Sequence, residues 1–170
     1  MNPLDELQTP HLTLRRMCAE DLDDLTRMHL DPRVMATLGG VRSPEVTREW
    51  LSRHLEHWRQ YGYGLWLARE RETGRFAGRG GLHRVEIDGR EEIEVGYSLL
   101  AEFWGRGLAT ELARESIRAA FTILKLPEIV CFTLTTNRAS QRVMQKVGFR
   151  YERDLVFKEL PHVLYRLSSN

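Results

Sequence analysis

Glu94-Val95-Gly96-Tyr97-Ser98-Leu99-Leu100, then Phe103-Trp104-Gly105-Arg106-Gly107-Leu108-Ala109-Thr110-Glu111, is the stretch that decides the fold. It runs from a strand-forming segment, through a turn with two glycines, into an amphipathic helix. Glycine lets a backbone turn sharply and face several N–H groups towards one point. The helix that follows offers unpaired N–H groups and a positive dipole end. Together they make an anion site suited to a pyrophosphate, to which Arg106 adds charge. The spacing G-x-G-x-x-G is absent and no Gly-Lys-Ser or Gly-Lys-Thr follows, so neither a dinucleotide fingerprint nor a P-loop is present. Alone, the turn is equally compatible with a connection that binds nothing.

Around this stretch short strands alternate with helices. Strands are predicted at His11 to Met17, Leu65 to Arg71, Phe76 to Val85, Glu92 to Leu100, Ile129 to Thr135, Phe149 to Lys158 and Val163 to Leu167. Helices are predicted at Asp21 to Leu30, Ser43 to Tyr61, Gly107 to Leu124 and Arg138 to Val147. Ser43-Pro44 is a cap followed by proline at the first helical position. Thr73-Gly74 and Asp88-Gly89 are tight-turn signals, so the strands from Leu65 to Leu100 should form an antiparallel meander. The expected class is α/β (α+β), one domain over residues 1–170.

A second segment, Thr136-Asn137-Arg138-Ala139-Ser140 to Lys146-Val147-Gly148-Phe149, follows about thirty residues later. Locally, Asn137 caps a short helix, Ser140 lies in its first turn and Gly148 ends it. The paired segments resemble the acetyl-CoA site of GNAT N-acetyltransferases. More narrowly they are similar to the branch that acetylates N-termini of ribosomal proteins, which shows E-(I/L)-G-Y, then W-G-(K/R)-G-(Y/L)-A-T-E, then N-x-x-S-x-x-x-x-x-K-x-G-F. The resemblance covers nearly the whole chain.

That resemblance implies a mixed, mostly antiparallel sheet of six or seven strands flanked by about four helices, its fourth and fifth strands splayed. It implies acetyl-CoA as cosubstrate, held by Leu99, Leu100, Trp104, Gly105, Arg106, Gly107, Leu108, Ala109, Thr110, Asn137 and Ser140. Backbone N–H groups near Leu99 and Leu100 would hold the pantetheine and the thioester carbonyl. Glu94 falls where many members place a general base, with Glu92 as the spare candidate. Glu94 is equally readable as a surface charge or the partner of a neighbouring arginine. Many members use a tyrosine acid in the short helix; here that position is Met144, which cannot donate a proton. Ser140 is then the expected hydrogen-bond donor near the leaving sulfur.

The remaining features set limits. A formal charge of +1 argues against a nucleic-acid binder that depends on a strongly basic surface, and is compatible with a local basic patch around an anionic cofactor. Two distant cysteines, Cys18 and Cys131, imply no disulfide framework and no thiolate metal site; Cys131 reads as a small buried residue. His54 and His57 are three apart on a helix without a third ligand, so no metal is expected. MNPLDELQTP lacks a basic segment before an apolar run, which makes a cytoplasmic protein without membrane contact the expectation. The expected partner is an amine acceptor, either a protein N-terminus or a small molecule, and the expected assembly a monomer or homodimer. A non-catalytic acyl-CoA-binding sensor on the same fold is the alternative.

Overall fold

In a computed structural model that describes residues 1–170, the chain's strands form one eight-stranded sheet. The strands are β1 (Glu6–Gln8), β2 (Leu12–Arg16), β3 (Leu65–Glu70), β4 (Phe76–Ile87), β5 (Arg90–Leu99), β6 (Glu128–Leu134), β7 (Arg150–Phe157) and β8 (Leu160–Ser168). Their order across the sheet is β1-β2-β3-β4-β5-β6-β8-β7, and every pairing is antiparallel except β5 with β6. The helices are α1 (Leu22–His29), α2 (Pro32–Met35), α3 (Pro44–Tyr61), α4 (Leu108–Arg118) and α5 (Arg138–Lys146). The expected meander is present as β3, β4 and β5.

Two counts differ from the expectation. The sheet has eight strands rather than six or seven, because Glu6–Gln8 pairs with Thr13–Arg15. Three residues are too few to show strand periodicity. The extra helix α2 is one turn, started by Asp31, whose carboxylate accepts from the Arg33 N–H at 2.9 Å. The helix expected to run to Leu124 stays α-helical only to Arg118 and then widens into a π turn over Ala119–Ile123.

Local chemistry explains most of the boundaries. Ser43 accepts from the Val46 N–H at 3.2 Å and Pro44 opens α3, while Gly62, left-handed at φ 72°, closes it. Trp50, Leu51 and Trp58 on α3 are buried, as helical spacing requires. Leu108 and Leu112 bury one face of α4 against the sheet, each worth roughly 1.5–3 kcal/mol of apolar transfer.

The sheet's two faces are separated residue by residue on β4. Gly80 lies under α4: a Cβ there would stand 2.6 Å from Leu112 Cδ2 and 2.7 Å from the Gly96 carbonyl. Arg79 and His83 project to the other face, where Arg79 lies over the Trp50 ring of α3 and His83 meets His54 of the same helix. Gly80→Ala is therefore expected to push α4 off the sheet and cost about 1–3 kcal/mol. Urea unfolding measures it; unchanged stability would mean that α4 yields freely.

Candidate active site

Strands β5 and β6 share a single parallel bridge, Glu94 with Val130. Beyond it they part. On the β6 side Cys131 is buried, and its S–H donates to the Val95 carbonyl at 3.1 Å. Burial pushes that thiol well above its ordinary range, as suits a packed residue rather than a nucleophile. A cavity of about 930 Å³ opens where the strands diverge. Its walls come from β4, β5 and β6, from the starts of α4 and α5, and from α3.

The expected cofactor residues fall at this cavity, with two departures. Leu99, Trp104, Gly105, Gly107, Leu108, Ala109, Thr110, Asn137 and Ser140 all line it. Leu100 does not: its N–H donates to the Ala77 carbonyl at 2.8 Å, so it is bound to β4 and unavailable as a donor. Peptide direction alternates along a strand. The carbonyl of Val95 accepts from Cys131 and that of Leu99 from the Trp104 indole at 2.9 Å, both on the β6 side. The same alternation points the N–H groups of Tyr97 and Leu99 into the gap. Arg106 also lies outside the cavity lining; it pairs with Glu70 and lies over the Phe103 ring, tying the turn to the end of β3.

Gly105 and Gly107 both take left-handed conformations, φ 73° and 76°, that only glycine adopts without strain. The first N–H to find a partner inside α4 is that of Glu111, donated to the Gly107 carbonyl at 3.1 Å. The N–H groups of Leu108, Ala109 and Thr110 are consequently left facing the turn. Glu111 closes the assembly from behind by accepting from the His11 N–H at 2.7 Å and from the Thr9 hydroxyl. At the start of α5, Asn137 caps as expected, accepting from the Ser140 N–H at 3.2 Å and donating to the Thr133 hydroxyl at 3.0 Å.

Two groups emerge that the sequence reading passed over. Tyr97 places its hydroxyl 3.0 Å from that of Ser140. Burial, with Cys131 and Glu94 nearby, raises this phenol far above its ordinary range, so it stays a donor. His83 stands opposite Glu94 in the β4–β5 register, with Nε2 3.0 Å from the Glu94 carboxylate. The glutamate is thus neither a solvated surface charge nor the partner of an arginine. It is a cavity-lining carboxylate paired with an imidazole. A tyrosine alternating towards a serine, and a histidine facing a glutamate, are visible only once the register is fixed. Glu92, by contrast, is outside the cavity: both terminal nitrogens of Arg166 bind it, at 2.8 and 3.0 Å, so it is a structural ion pair.

Behind His83, the rings of His54 and Trp50 pack at a tilt with centroids 4.1 Å apart, and Trp50 meets His29 edge-on at 5.0 Å. Burial, reinforced by neighbouring cations, lowers His29 to about 3 and His54 to about 2. Both fall below the ordinary imidazole value, so the unfolded chain binds protons that the native protein refuses. Stability is full above about pH 6.5 and falls on acidification, by about 1.4 kcal/mol per pH unit for each imidazole. Urea unfolding at pH 7 and pH 5 should show that loss, and His54→Gln should reduce it; an identical pH dependence in the variant would acquit His54.

Comparison with known proteins agrees with this geometry. The acetyltransferase (GNAT) domain profile matches residues 11–150. The chain is 31% identical over 172 residues to YkkB of Bacillus subtilis, covering 99% of each chain. It is 30% identical over 157 residues to the FsC-acetyl coenzyme A-N(2)-transacetylase of Aspergillus fumigatus, covering 85% of this chain and 65% of that one. An acetyltransferase structure from Agrobacterium tumefaciens superposes with a TM-score of 0.84 at 26% identity, over 95% of this chain and 93% of the other. With a splayed β5–β6 pair, a glycine turn at the start of α4 and a family match over most of its length, the chain belongs to the acetyltransferase (GNAT) domain family.

Proposed function

We propose that the protein transfers an acetyl group from acetyl-CoA to a primary amine by direct attack of the amine on the thioester. The observation that carries the proposal is the gap beyond the Glu94–Val130 bridge, which brings donors from two helices and a strand to one cavity. The use of acetyl coenzyme A in the name of the Aspergillus relative supports the same cosubstrate. Acetyl-CoA supplies an activated acyl group on a sulfur leaving group. The chain's task is to place it, polarise its carbonyl, and manage two protons.

The residues fit that task. The N–H groups of Leu108, Ala109 and Thr110 at the positive end of α4 suit the pyrophosphate. The N–H groups of Tyr97 and Leu99 run along the gap, where a pantetheine arm could pair as an added strand and a thioester oxygen find a donor. Glu94, held by His83, faces the cavity from the bridge end and accepts the amine proton, directly or through water. As the nitrogen–carbon bond forms and the carbon–sulfur bond breaks, the leaving sulfur needs at most one proton. A thiol pKa near 8.5 makes thiolate a tolerable leaving group. The paired hydroxyls of Tyr97 and Ser140 supply a donor there, which meets the absence of a tyrosine at Met144. A donor and a base facing one cavity favour an enzyme over a non-catalytic sensor.

Two substitutions test the reading. Gly107→Asp meets no steric obstacle, since no atom lies within 4 Å of a Cβ there, but it strains a left-handed residue and sets a carboxylate against the anion site. Calorimetry should find CoA binding abolished; wild-type affinity would place the anion elsewhere. Glu94→Gln removes basicity while keeping size, and turnover at neutral pH should fall about a hundredfold or more. For a general base the loss shrinks at high pH, where the amine is already neutral. Parallel pH profiles would leave Glu94 as a positioning charge.

A further inference from the structure

The face of the cavity under α3 carries a charge pattern that the transfer chemistry does not require. Arg79, on β4, is buried at 7% exposure, and its guanidinium donates to no protein acceptor. Its Nε is enclosed without a partner. The group is held by stacking, 4.5 Å from the centroid of the Trp50 ring, and it lines the cavity. Arg42, in the segment between α2 and α3, lines the same cavity; one terminal nitrogen reaches the Leu38 carbonyl at 3.3 Å and the other, Nη1, is buried without a partner. Desolvation and then the charge of Arg42 lower Arg79, to about 9, which leaves it cationic at neutral pH. Desolvation and then Arg53 lower Arg42.

No carboxylate touches either of these two, although the charge of Glu94 acts on Arg79 through space. Glu94 is the one acidic residue lining the cavity, and it is paired with His83. Burying an arginine without a counter-charge is expensive. A buried cation that stacks on an aromatic ring and leaves its donors facing a cavity is a site prepared for an anion. The pyrophosphate turn does not account for it. Arg79 lies on the opposite face of the sheet from Gly80, which is the residue under α4. It shares its face with His83 and Glu94, four residues along the strand, or about 13 Å at the usual rise. Both long side chains reach into the same cavity from these positions, and Glu94 is near enough to act on the Arg79 charge, so a small acceptor can set its amine towards the glutamate and an anionic group on the arginine.

Resting on the transfer reading above, we infer that the acceptor is a primary amine bearing a carboxylate, of amino-acid or short acidic-peptide character, whose carboxylate is bound by Arg79 with Arg42. A polyamine is the acceptor this face disfavours, because it would bring further positive charge against two guanidinium groups that no carboxylate contacts.

The test is acetyl-CoA-dependent thiol release with matched acceptors: several free amino acids and their amides, the C-terminally amidated dipeptides Ala-Glu and Ala-Gln, and spermine. The acid of a matched pair should exceed its neutral counterpart in kcat/KM by about tenfold or more, the usual worth of a charge-assisted bond. Preference for free amino acids over amides would identify a small-molecule acceptor, and preference confined to Ala-Glu a peptide. Arg79→Gln should lower kcat/KM for the acid, chiefly through KM, far more than for the neutral partner, and so erase the preference. Arg42→Gln, at a less buried site, should do the same to a smaller extent and serves if Arg79→Gln fails to fold; calorimetric CoA binding reports that each variant is native. Amides or spermine turning over as well as the acids would overturn this inference alone. So would a preference that survives both substitutions. Failure of every amine to be acetylated while CoA still binds would instead overturn the transfer reading, and this inference with it.

Discussion

The single bridge between Glu94 and Val130 is the constraint on which the site depends. A parallel pair continued along both strands would satisfy the peptide groups of β5 with those of β6 and leave no space between them. Because pairing stops after one bridge, the N–H groups of Tyr97 and Leu99 lack a strand partner, and the sheet opens without losing its continuity. β6 is kept in the sheet from its other side, by seven register pairs with β8. The opening is also plugged at its base, where the Cys131 thiol takes the Val95 carbonyl. A strand can be split from its neighbour in this way only when each partner is anchored elsewhere.

That anchoring accounts for several charged residues that lie outside the cavity. Arg166 on β8 joins Glu92, Glu128 and Glu152, which lie on β5, β6 and β7, and so braces the strands across the end where they are still together. Glu111 and Arg106 perform a similar service for the turn before α4. One ties the helix to the segment at Thr9 and His11, the other ties the turn to Glu70 on β3. Motif residues with charged side chains can therefore act as fasteners, while the residues between them face the cavity.

The two faces of the sheet divide the labour. The face under α4 and α5 presents N–H groups, the Tyr97–Ser140 pair and the glycine turn. The other face, under α3, presents Glu94, His83 and a cluster of aromatic and basic side chains. Glycine at position 80 lets α4 approach β4 closely, and the arginine next to it in sequence is thrown to the far side. His29 and His54 are kept neutral by burial beside Trp50, so the positive charge on that face is concentrated on arginine.

The elements and the glycine turn were legible locally. Caps, helical spacing and glycine positions are fixed by neighbours within a few residues, which is why α3, α5, the start of α4 and the β3–β5 meander agree with expectation. So was the role of Asn137, since a cap bonds three residues away. The points that local sequence leaves open share one cause. Whether Leu100 donates to β4 or into the gap depends on peptide alternation against Ala77. Glu92 and Glu94 are indistinguishable by spacing. They part company only because Arg166, 74 residues away, reaches one, while His83 on the adjacent strand reaches the other. Short β1 left no periodic trace. The sequence alone determined the family, the glycine turn at the cavity and the helices on either side of the site. Tertiary structure decided which side chains meet in the cavity, because strand register and the splay of β5 from β6 are long-range pairings that no local spacing encodes.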